Sequence, residues 1–375
     1  MDSTESAKAA YMDQLASRTL ALPMGRALFD YGTRNINSQD ALAIACPKVS
    51  ARFRGYKADT AWAANSVDTS WPLFHSGVAA ALSIERSQAR SIHSSWVLLN
   101  WPAEPTLKAD SGSEDDQHKR YRDSLALHAG FLLGMGLLSS MCVPPQQGGG
   151  PLRDIPSWQA LRYLTMCHGM TSIGLMTGLA CAHRGTINST VSRMLSFHIP
   201  SVLPPGSSER MLLSYGTQAA AMLGLGLVFM RSQNRRMVEV MLRELSSTKQ
   251  SPQSNARDSL DGSELADSTA ECCSLASGFA LGLVVLGQGL STQTLADLHL
   301  LDTLSAMIGG SGGNSDLGLI AALGLAFLGT DYAPAAHRLA LPAAAQHLRT
   351  ADPFVLLWRS LMRSLIMLNS IQPTR

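Results

Sequence analysis

The sequence has little charge, few aromatic residues and no large excess of either sign of charge. Charged residues make up 15% and aromatic residues 6% of its 375 residues, whereas hydrophobic residues reach 46%. So large a hydrophobic share argues against a chain that is disordered throughout. The formal net charge of +2 predicts no strong attraction to nucleic acid or anionic lipid. Partners are therefore expected to recognise shape and local patches.

The cysteines form no CxxC pair and no pattern typical of a disulfide framework. They are Cys46, Cys142, Cys167, Cys181, Cys272 and Cys273. We therefore expect a reducing compartment, the nucleus or the cytosol. The opening MDSTESAKAA lacks the apolar stretch of a secretory signal. The best candidate for a membrane span, Ala129 to Val143, is shorter than the roughly 20 residues that a bilayer requires, so no membrane partner is expected.

Six apolar segments superpose without gaps and carry small residues at three fixed offsets. The column at offset zero consists of Gly77, Gly130, Gly174, Ala220, Ala276 and Gly318. The column at offset four consists of Ala81, Gly134, Gly178, Gly224, Ala280 and Ala322. The column at offset six consists of Ser83, Gly136, Ala180, Gly226, Gly282 and Gly324. This regularity indicates an internal repeat, whose period of about forty residues is typical of two-helix solenoid units.

The three columns define two opposite faces of a helix. At 100° per residue, offsets zero and four lie about 40° apart, and offset six points roughly the other way. Glycine within a helix costs about 1 kcal/mol relative to alanine, and close approach of neighbouring helices offsets that cost. The pattern therefore predicts inner helices packed on both sides. Leucine in place of Gly134, Gly178 or Gly224 is predicted to prevent soluble folding.

A further column, at offset eleven, predicts where the inner helices end. It contains Gly185, Gly287 and Gly329, which are suited to the left-handed residue that follows many helices. The fourth copy has Arg231 at this offset.

The sequence predicts an all-α fold of helix–turn–helix repeats in a two-layer α-solenoid. The repeat array covers 71–350, with inner helices near 75–84, 128–138, 171–184, 217–230, 274–287 and 316–329. Amphipathic segments between them predict outer helices over Ile92–Asn100, Ile187–Ile199, Arg235–Leu245 and Thr294–Ile308. Polar or Gly-rich composition predicts surface loops at 102–123, 144–151, 246–270 and 305–316. A helical lead-in (1–30), an irregular or partly disordered segment (31–70) and a closing helix (351–370) complete the chain.

We find no motif that indicates a catalytic, cofactor or metal site. Glycine pairs such as Gly134 and Gly136 lie inside repeated apolar helices, whereas a dinucleotide fingerprint needs a preceding strand and a later acidic residue. His75 and His128 share a column of polar residues, which fits an N-cap or a solvent-facing helix start. Adjacent Cys167 and His168 do not make a catalytic pair.

Arginines offer the few candidate partner-binding patches. They are Arg235 with Arg236, and Arg359 with Arg363. A solvated helix face is the commoner explanation for such pairs.

The small-residue helix resembles the proteasome/cyclosome (PC) repeat, found in two proteasome regulatory-particle subunits and in the largest subunit of the anaphase-promoting complex. Segments outside the repeat resemble the latter family, the anaphase-promoting complex (cyclosome) subunit 1 family. They are RTLALPMGRALF (Arg18 to Phe29), SWPLFHSGVAAALSI (Ser70 to Ile84), SSWVLLNWP (Ser94 to Pro102), HGMTSIGLMTGLA (His168 to Ala180), SRMLSFHIPSVLPP (Ser192 to Pro205) and DPFVLLWRSLMRSLIML (Asp352 to Leu368). The segment Ser192 to Pro205 is the most specific, because nothing in repeat packing requires its prolines.

This resemblance implies a ring, or toroid, of PC repeats that serves as a non-catalytic scaffold in a cullin–RING-type E3 ubiquitin ligase controlling mitotic progression. It implies as partners the substrate-receptor subunit, the cullin–RING module and the tetratricopeptide subunits, with coactivators contacted indirectly. It implies a nuclear protein that is cytoplasmic in mitosis, and no nucleic-acid, membrane or small-molecule partner. A proteasomal scaffold with the same repeat is the alternative. A helical enzyme with a Gly-rich cofactor loop is a third hypothesis.

Overall fold

The computed structural model describes residues 49–53, 56–60, 70–84, 92, 100–102, 114–142, 152–153, 155–165, 169–203, 214–250, 263–290, 293–308, 316–341 and 353–370. Strands β1 (Val49–Phe53) and β2 (Tyr56–Thr60) come first. The α-helices are α1 (Ser70–Leu82), α2 (Glu114–Cys142), α3 (Ser157–Thr165), α4 (Gly169–Ala182), α5 (Ser189–Ser196), α6 (Tyr215–Val228), α7 (Arg235–Gln250), α8 (Ser263–Val284), α9 (Leu300–Met307), α10 (Leu317–Ala326), α11 (Ala333–Arg338) and α12 (Pro353–Ile366). Short 3₁₀ helices lie at Pro200–Val202, Gln293–Leu298 and Leu368–Ser370.

The described chain is helical apart from its loops and one hairpin, which agrees with an all-α fold. In that hairpin β1 and β2 are antiparallel, with Phe53 opposite Tyr56 and Val49 opposite Thr60. The prediction of an irregular segment over 31–70 is wrong for these residues. Their sequences alternate apolar and polar residues, which is the period of a strand. The lead-in 1–30 and the rest of 31–69 lie outside the described residues.

Seven of the described helices form a row in chain order, each packed against the next. They are α1, α2, α4, α6, α8, α10 and α12. They contain the six predicted inner helices, and α12 falls within the predicted closing segment. A single cluster of buried side chains runs from Ala81 in α1 to Ile366 in α12. The core is therefore continuous along the row. Among the described residues, no helix has the length and apolar character that crossing a membrane requires.

Two inner helices are longer than the sequence predicts. Helix α2 begins at Glu114 and α8 at Ser263, so parts of the predicted loops 102–123 and 246–270 are helical. Straight-chain residues such as Gln117 and Lys119 have good helix propensity, and extending an existing helix is far easier than nucleating one. The predicted loop 144–151 lies outside the described residues.

The connecting helices pack against the row. Helix α3 packs on α4, α5 on α4 and α6, α7 on α6 and α8, α9 on α10, and α11 on α12. In α7 the buried residues Met237, Val238, Met241 and Leu245 share one face. The single outer helix predicted over Thr294–Ile308 is wrong, because His299, with a left-handed φ of 41°, separates a 3₁₀ helix from α9. Apart from its two end residues, the predicted Ile92–Asn100 helix lies outside the described residues.

Candidate functional site

Contacts between neighbouring helices of the row follow the small-residue columns. The residue at offset six of one helix faces the residue at offset four of the next in the pairs Gly136–Gly178, Ala180–Gly224 and Gly226–Ala280. Gly324, at offset six of α10, faces Met362 of α12, and we therefore assign offset four of α12 to Met362. A Cβ on Gly136 would overlap the backbone of Gly178, and a Cβ on Gly226 would lie 2.5 Å from the Cα of Ala280. Backbones therefore meet at Gly136 and Gly226, whereas Gly224 and Gly324 face side chains; α2, α4, α6, α8 and α10 use both of their small faces.

The contact between α8 and α10 depends on a glycine outside the three columns. A Cβ on Gly278 would overlap the carbonyl oxygen of Gly318, and a Cβ on Gly318 would overlap that of Ser274. Gly278 is at offset two, about 40° from offset six on a helical wheel. The alternation of Ala276, Gly278, Ala280 and Gly282 in the sequence was the signal that would have found it.

The loops that follow α4, α6, α8 and α10 each donate backbone hydrogen bonds to the end of the next helix in the row. The N–H of Gly185 donates to the Leu227 oxygen at 2.9 Å, and that of Ile187 to the Val228 oxygen at 3.2 Å. The same two N–H···O bonds recur after the next three helices of the row. The donor and acceptor pairs are Arg231–Leu283 with Gln233–Val284, Gly287–Leu325 with Gly289–Ala326, and Gly329–Leu365 with Asp331–Ile366. They satisfy carbonyl groups that a helix end leaves unpaired.

Each donor in this ladder has a positive φ, between 52° and 69°. Offset eleven carried the glycine signal in the sequence, and Arg231 adopts the same conformation there with a φ of 59°. Offset thirteen gave no signal, because Ile187, Gln233, Gly289 and Asp331 share no residue type. At the end of α4 a side chain makes the equivalent bond: Arg153 Nε donates to the Ala182 oxygen at 2.8 Å.

The two histidines that share a column differ in environment. His75 is exposed on α1 and contacts the Phe74 ring. His128 is buried inside α2, where its ring stacks at 6.0 Å on Tyr163. Burial lowers the pKa of His128 to about 4, so its ring is neutral at pH 7. The prediction of a solvent-facing helix start is wrong for His128, because α2 begins fourteen residues earlier.

Burial determines the protonation of two of the described thiols. Burial raises the pKa of Cys181 to about 11 and that of Cys273 to about 12, so both thiols stay protonated and are poor nucleophiles at neutral pH. In the described part of the chain, no three His, Cys, Asp or Glu side chains are grouped as metal ligands. Cys167 and His168 lie outside the described residues.

The adjacent arginines of α7 have different surroundings. Arg235 donates to both carboxylate oxygens of Asp297, at 3.1 and 2.6 Å, and to Glu239 at 2.8 Å. The hydrogen bond from Arg235 lowers the pKa of the Asp297 carboxyl. Arg235 thus joins α7 to the 3₁₀ helix of the next repeat, whereas Arg236 is exposed and lines a groove beside α5.

The last helix exposes an apolar face. Leu368, in the 3₁₀ helix that follows α12, is exposed, and so are Phe354, Leu357 and Leu361 of α12, which lie at spacings of three and four residues. That spacing places them on one side of the helix. A neighbouring side of α12 packs on α10, with Met362 against Gly324 and Trp358 Nε1 donating to the Leu317 oxygen at 3.1 Å. Of the second predicted arginine pair, Arg363 is exposed on α12 and Arg359 is half-buried.

Known proteins resemble nearly the whole chain. Residues 2–184 match the model of the APC1 fourth domain, and residues 189–375 match that of the APC1 fifth domain. The junction falls in the loop between α4 and α5, yet α4 and α6 pack together across it. The row of helices therefore continues through the boundary between the two matched domains.

Curated relatives agree with these matches. "Negative regulator of mitosis" of Emericella nidulans is 33% identical over 95% of this chain and 16% of its own length. "Anaphase-promoting complex subunit 1" of Schizosaccharomyces pombe is 30% identical over 95% of this chain and 22% of its own length, and that of Homo sapiens 34% over 79% and 13%. The chain thus spans less than a quarter of these relatives. With both domain models matched in tandem, the chain belongs to the anaphase-promoting complex subunit 1 (APC1) family.

Proposed function

We propose that this chain is a non-catalytic scaffold region of the largest subunit of the anaphase-promoting complex, a cullin–RING-type E3 ubiquitin ligase that controls mitotic progression. The observation that carries the proposal is the tandem match to two APC1 domains along one uninterrupted row of helices. A row held by backbone contacts and a backbone ladder is stiff, and stiffness is what a scaffold needs to hold other subunits at fixed positions. Catalysis is assigned to the partners.

The row is proposed to be part of a two-layer α-solenoid of PC repeats that closes into a ring. The exposed apolar face of α12 supports closure, since the corresponding side of α10 is buried and α12 packs on that helix. Another helix, carrying small residues, would cover Leu357 and Leu361 in the closed ring. Imaging of the isolated chain and of the longer protein by electron microscopy tests this: an open array in both would contradict it.

The proposed partners are the substrate-receptor subunit, the cullin–RING module and the tetratricopeptide subunits, with coactivators contacted indirectly. The proposed location is the nucleus, and the cytoplasm during mitosis. These assignments rest on the names and the family of the relatives, two of which are subunits of the complex by name.

Affinity purification tests membership in the complex. The longer protein that contains this chain, tagged and recovered from mitotic cells, is expected to bring down cullin, RING and tetratricopeptide subunits. An untagged culture treated in the same way is the control. Recovery of proteasomal ATPases instead would support the proteasomal alternative, and recovery of neither set would contradict the scaffold proposal.

A further inference from the structure

A groove of about 520 Å³ opens between α5, the segment 200–203 and the start of α7. Its apolar wall consists of Phe197, Val202, Leu203, Phe229 and Met237. Two arginines from different helices and several small polar residues complete it, namely Ser189, Ser192, Arg193, Ser196, Asn234 and Arg236. The lining of the groove thus combines apolar side chains with two basic ones.

The segment Ser192 to Pro205 builds most of this groove, and its prolines are the feature that repeat packing does not explain. Helix α5 ends at Ser196, the fully buried Ile199 anchors the chain, and Pro200 begins the 3₁₀ turn that packs on α7. This arrangement leaves 52% of Phe197 exposed. The exposed part of the ring adds little to folding, whereas burying it against a partner is favourable.

The charge of the groove is uncompensated. Arg193 and Arg236 are both exposed and form no ion pair within the described part of the chain, and none of the groove's lining residues, which are all described, is acidic. Arg235, which directly precedes Arg236 in the sequence, differs from it, because Asp297 and Glu239 form ion pairs with Arg235. The two free guanidinium groups are therefore available to a carboxylate, which arginine binds with paired hydrogen bonds.

Three other polar side chains of the groove are engaged within their own helices, and one of them, Asn234, accepts at Oδ1 from the Met237 N–H at the start of α7 at 3.2 Å. The Ser192 hydroxyl donates to the Ser189 oxygen at 3.0 Å, and the Ser196 hydroxyl to the Ser192 oxygen at 2.7 Å. Asn188 Oδ1 accepts the first free N–H groups of the helix, from Thr190 and Val191. Attraction for an anion thus comes from the arginines and not from the helix terminus.

We propose that this groove binds a short segment of a partner protein in which Asp or Glu lies beside an aromatic or aliphatic residue. The carboxylate pairs with Arg193 and Arg236, and the apolar side chain packs against Phe197. The inference deepens the scaffold proposal, on which it rests, by giving one docking surface and the chemistry of its partner. Its test uses the isolated chain, so its failure leaves the purification test of complex membership unaffected.

Selection from a phage-displayed library of random twelve-residue peptides on the immobilised chain tests the proposal. Enriched peptides are expected to carry an acidic residue within four positions of an aromatic or aliphatic one. A labelled peptide of the enriched class is expected to lose at least tenfold in affinity with Arg193→Glu or Arg236→Glu, and about fivefold with Phe197→Ser. Its affinity is expected to fall as salt rises from low to physiological concentration, because exposed ion pairs are screened.

Arg243→Glu is the matched control, since it makes the same charge change on an exposed position of α7 outside the groove. It is expected to leave peptide affinity unchanged, and all variants are expected to melt at the wild-type temperature because the altered side chains are exposed. No enriched peptide, enriched peptides without acidic residues, or an equal loss with Arg243→Glu would overturn the proposal. The proposal would also be overturned if a ten-nucleotide RNA displaced the labelled peptide as well as an unlabelled copy of that peptide does. Binding in the groove would then depend on charge alone.

Discussion

Helix α10 lies inside the row and α12 lies at its described end, and the two helices fill the same positions with different residues. Nine of the ten residues of α10 are buried, and its offsets zero and four are Gly318 and Ala322. In α12 those offsets are Trp358 and Met362, and the exposed side presents Leu357 and Leu361, which are 65% and 46% exposed. Small residues therefore mark the faces where two helix backbones approach closely, including Gly77 and Ala81 of α1 against α2, and α12 lacks them at the corresponding offsets.

The largest expected effect is that of a methyl group added inside the row. In Gly318→Ala the new Cβ overlaps the carbonyl oxygen of Ser274, and a backbone cannot yield as a side chain does. We expect the free energy of unfolding to fall by about 3 kcal/mol, measured by urea denaturation.

Gly224→Ala is the control for that substitution, because its Cβ would lie 3.2 Å from Leu195 Cδ1 and 3.3 Å from Ala180 Cβ, which are side-chain atoms and not backbone. The better helix propensity of alanine offsets part of the strain, so we expect a loss of about 1 kcal/mol or less. Equal losses at Gly318 and Gly224 would contradict the role of backbone contact. The sequence predicted the same effect of substitution at Gly178 and Gly224. In the structure a Cβ on Gly178 would overlap the Leu132 oxygen, so we expect substitution of Gly178 to destabilise the fold more.

Features that repeat along the chain were predictable from the sequence. Close approach of two helices excludes side chains larger than a methyl group, so each contact leaves a small residue at a fixed offset, as at Gly136 and Gly178. The left-handed helix ends were visible for the same reason at Gly185, Gly287 and Gly329. In these cases glycine is required by the close helix contact or by the left-handed backbone conformation, so the residue type predicts the local structure.

Features that depend on one particular contact were not predictable. Ile187 and Asp331 adopt left-handed conformations because their N–H groups bond to the next helix, and neither residue type suggests this. His299 interrupts a segment whose apolar spacing is continuous with a helix. The groove beside α5 likewise depends on how the turn at Pro200 packs against α7, which only tertiary structure determines.

The second prediction removes the bulk that distinguishes α12 from α10. Trp358→Ala deletes a half-buried ring that lies 5.8 Å from Phe279, and it removes the hydrogen bond to the Leu317 oxygen. We expect a loss of about 2–3 kcal/mol in the free energy of unfolding. Trp358→Phe, which keeps one aromatic ring while losing the N–H group and part of the indole, is expected to cost about 1–2 kcal/mol, less than Trp358→Ala. Unchanged stability in Trp358→Ala would mean that α12 packs closely with a small residue, as the interior helices do.

The smallest effect is expected on the outer side of α12. Leu357→Ser combined with Leu361→Ser removes exposed apolar side chains, so the isolated chain is expected to change in stability by less than about 0.5 kcal/mol. The matched interior change is Leu317→Ser, at the offset in α10 that corresponds to Leu357. Leu317 is buried, so this change is expected to cost about 3 kcal/mol. In the longer protein the serine pair becomes costly if another helix covers α12, since burying those leucines then contributes to folding. A serine pair that is neutral in both proteins would show that α12 ends the array, and it would contradict closure of the ring through this face.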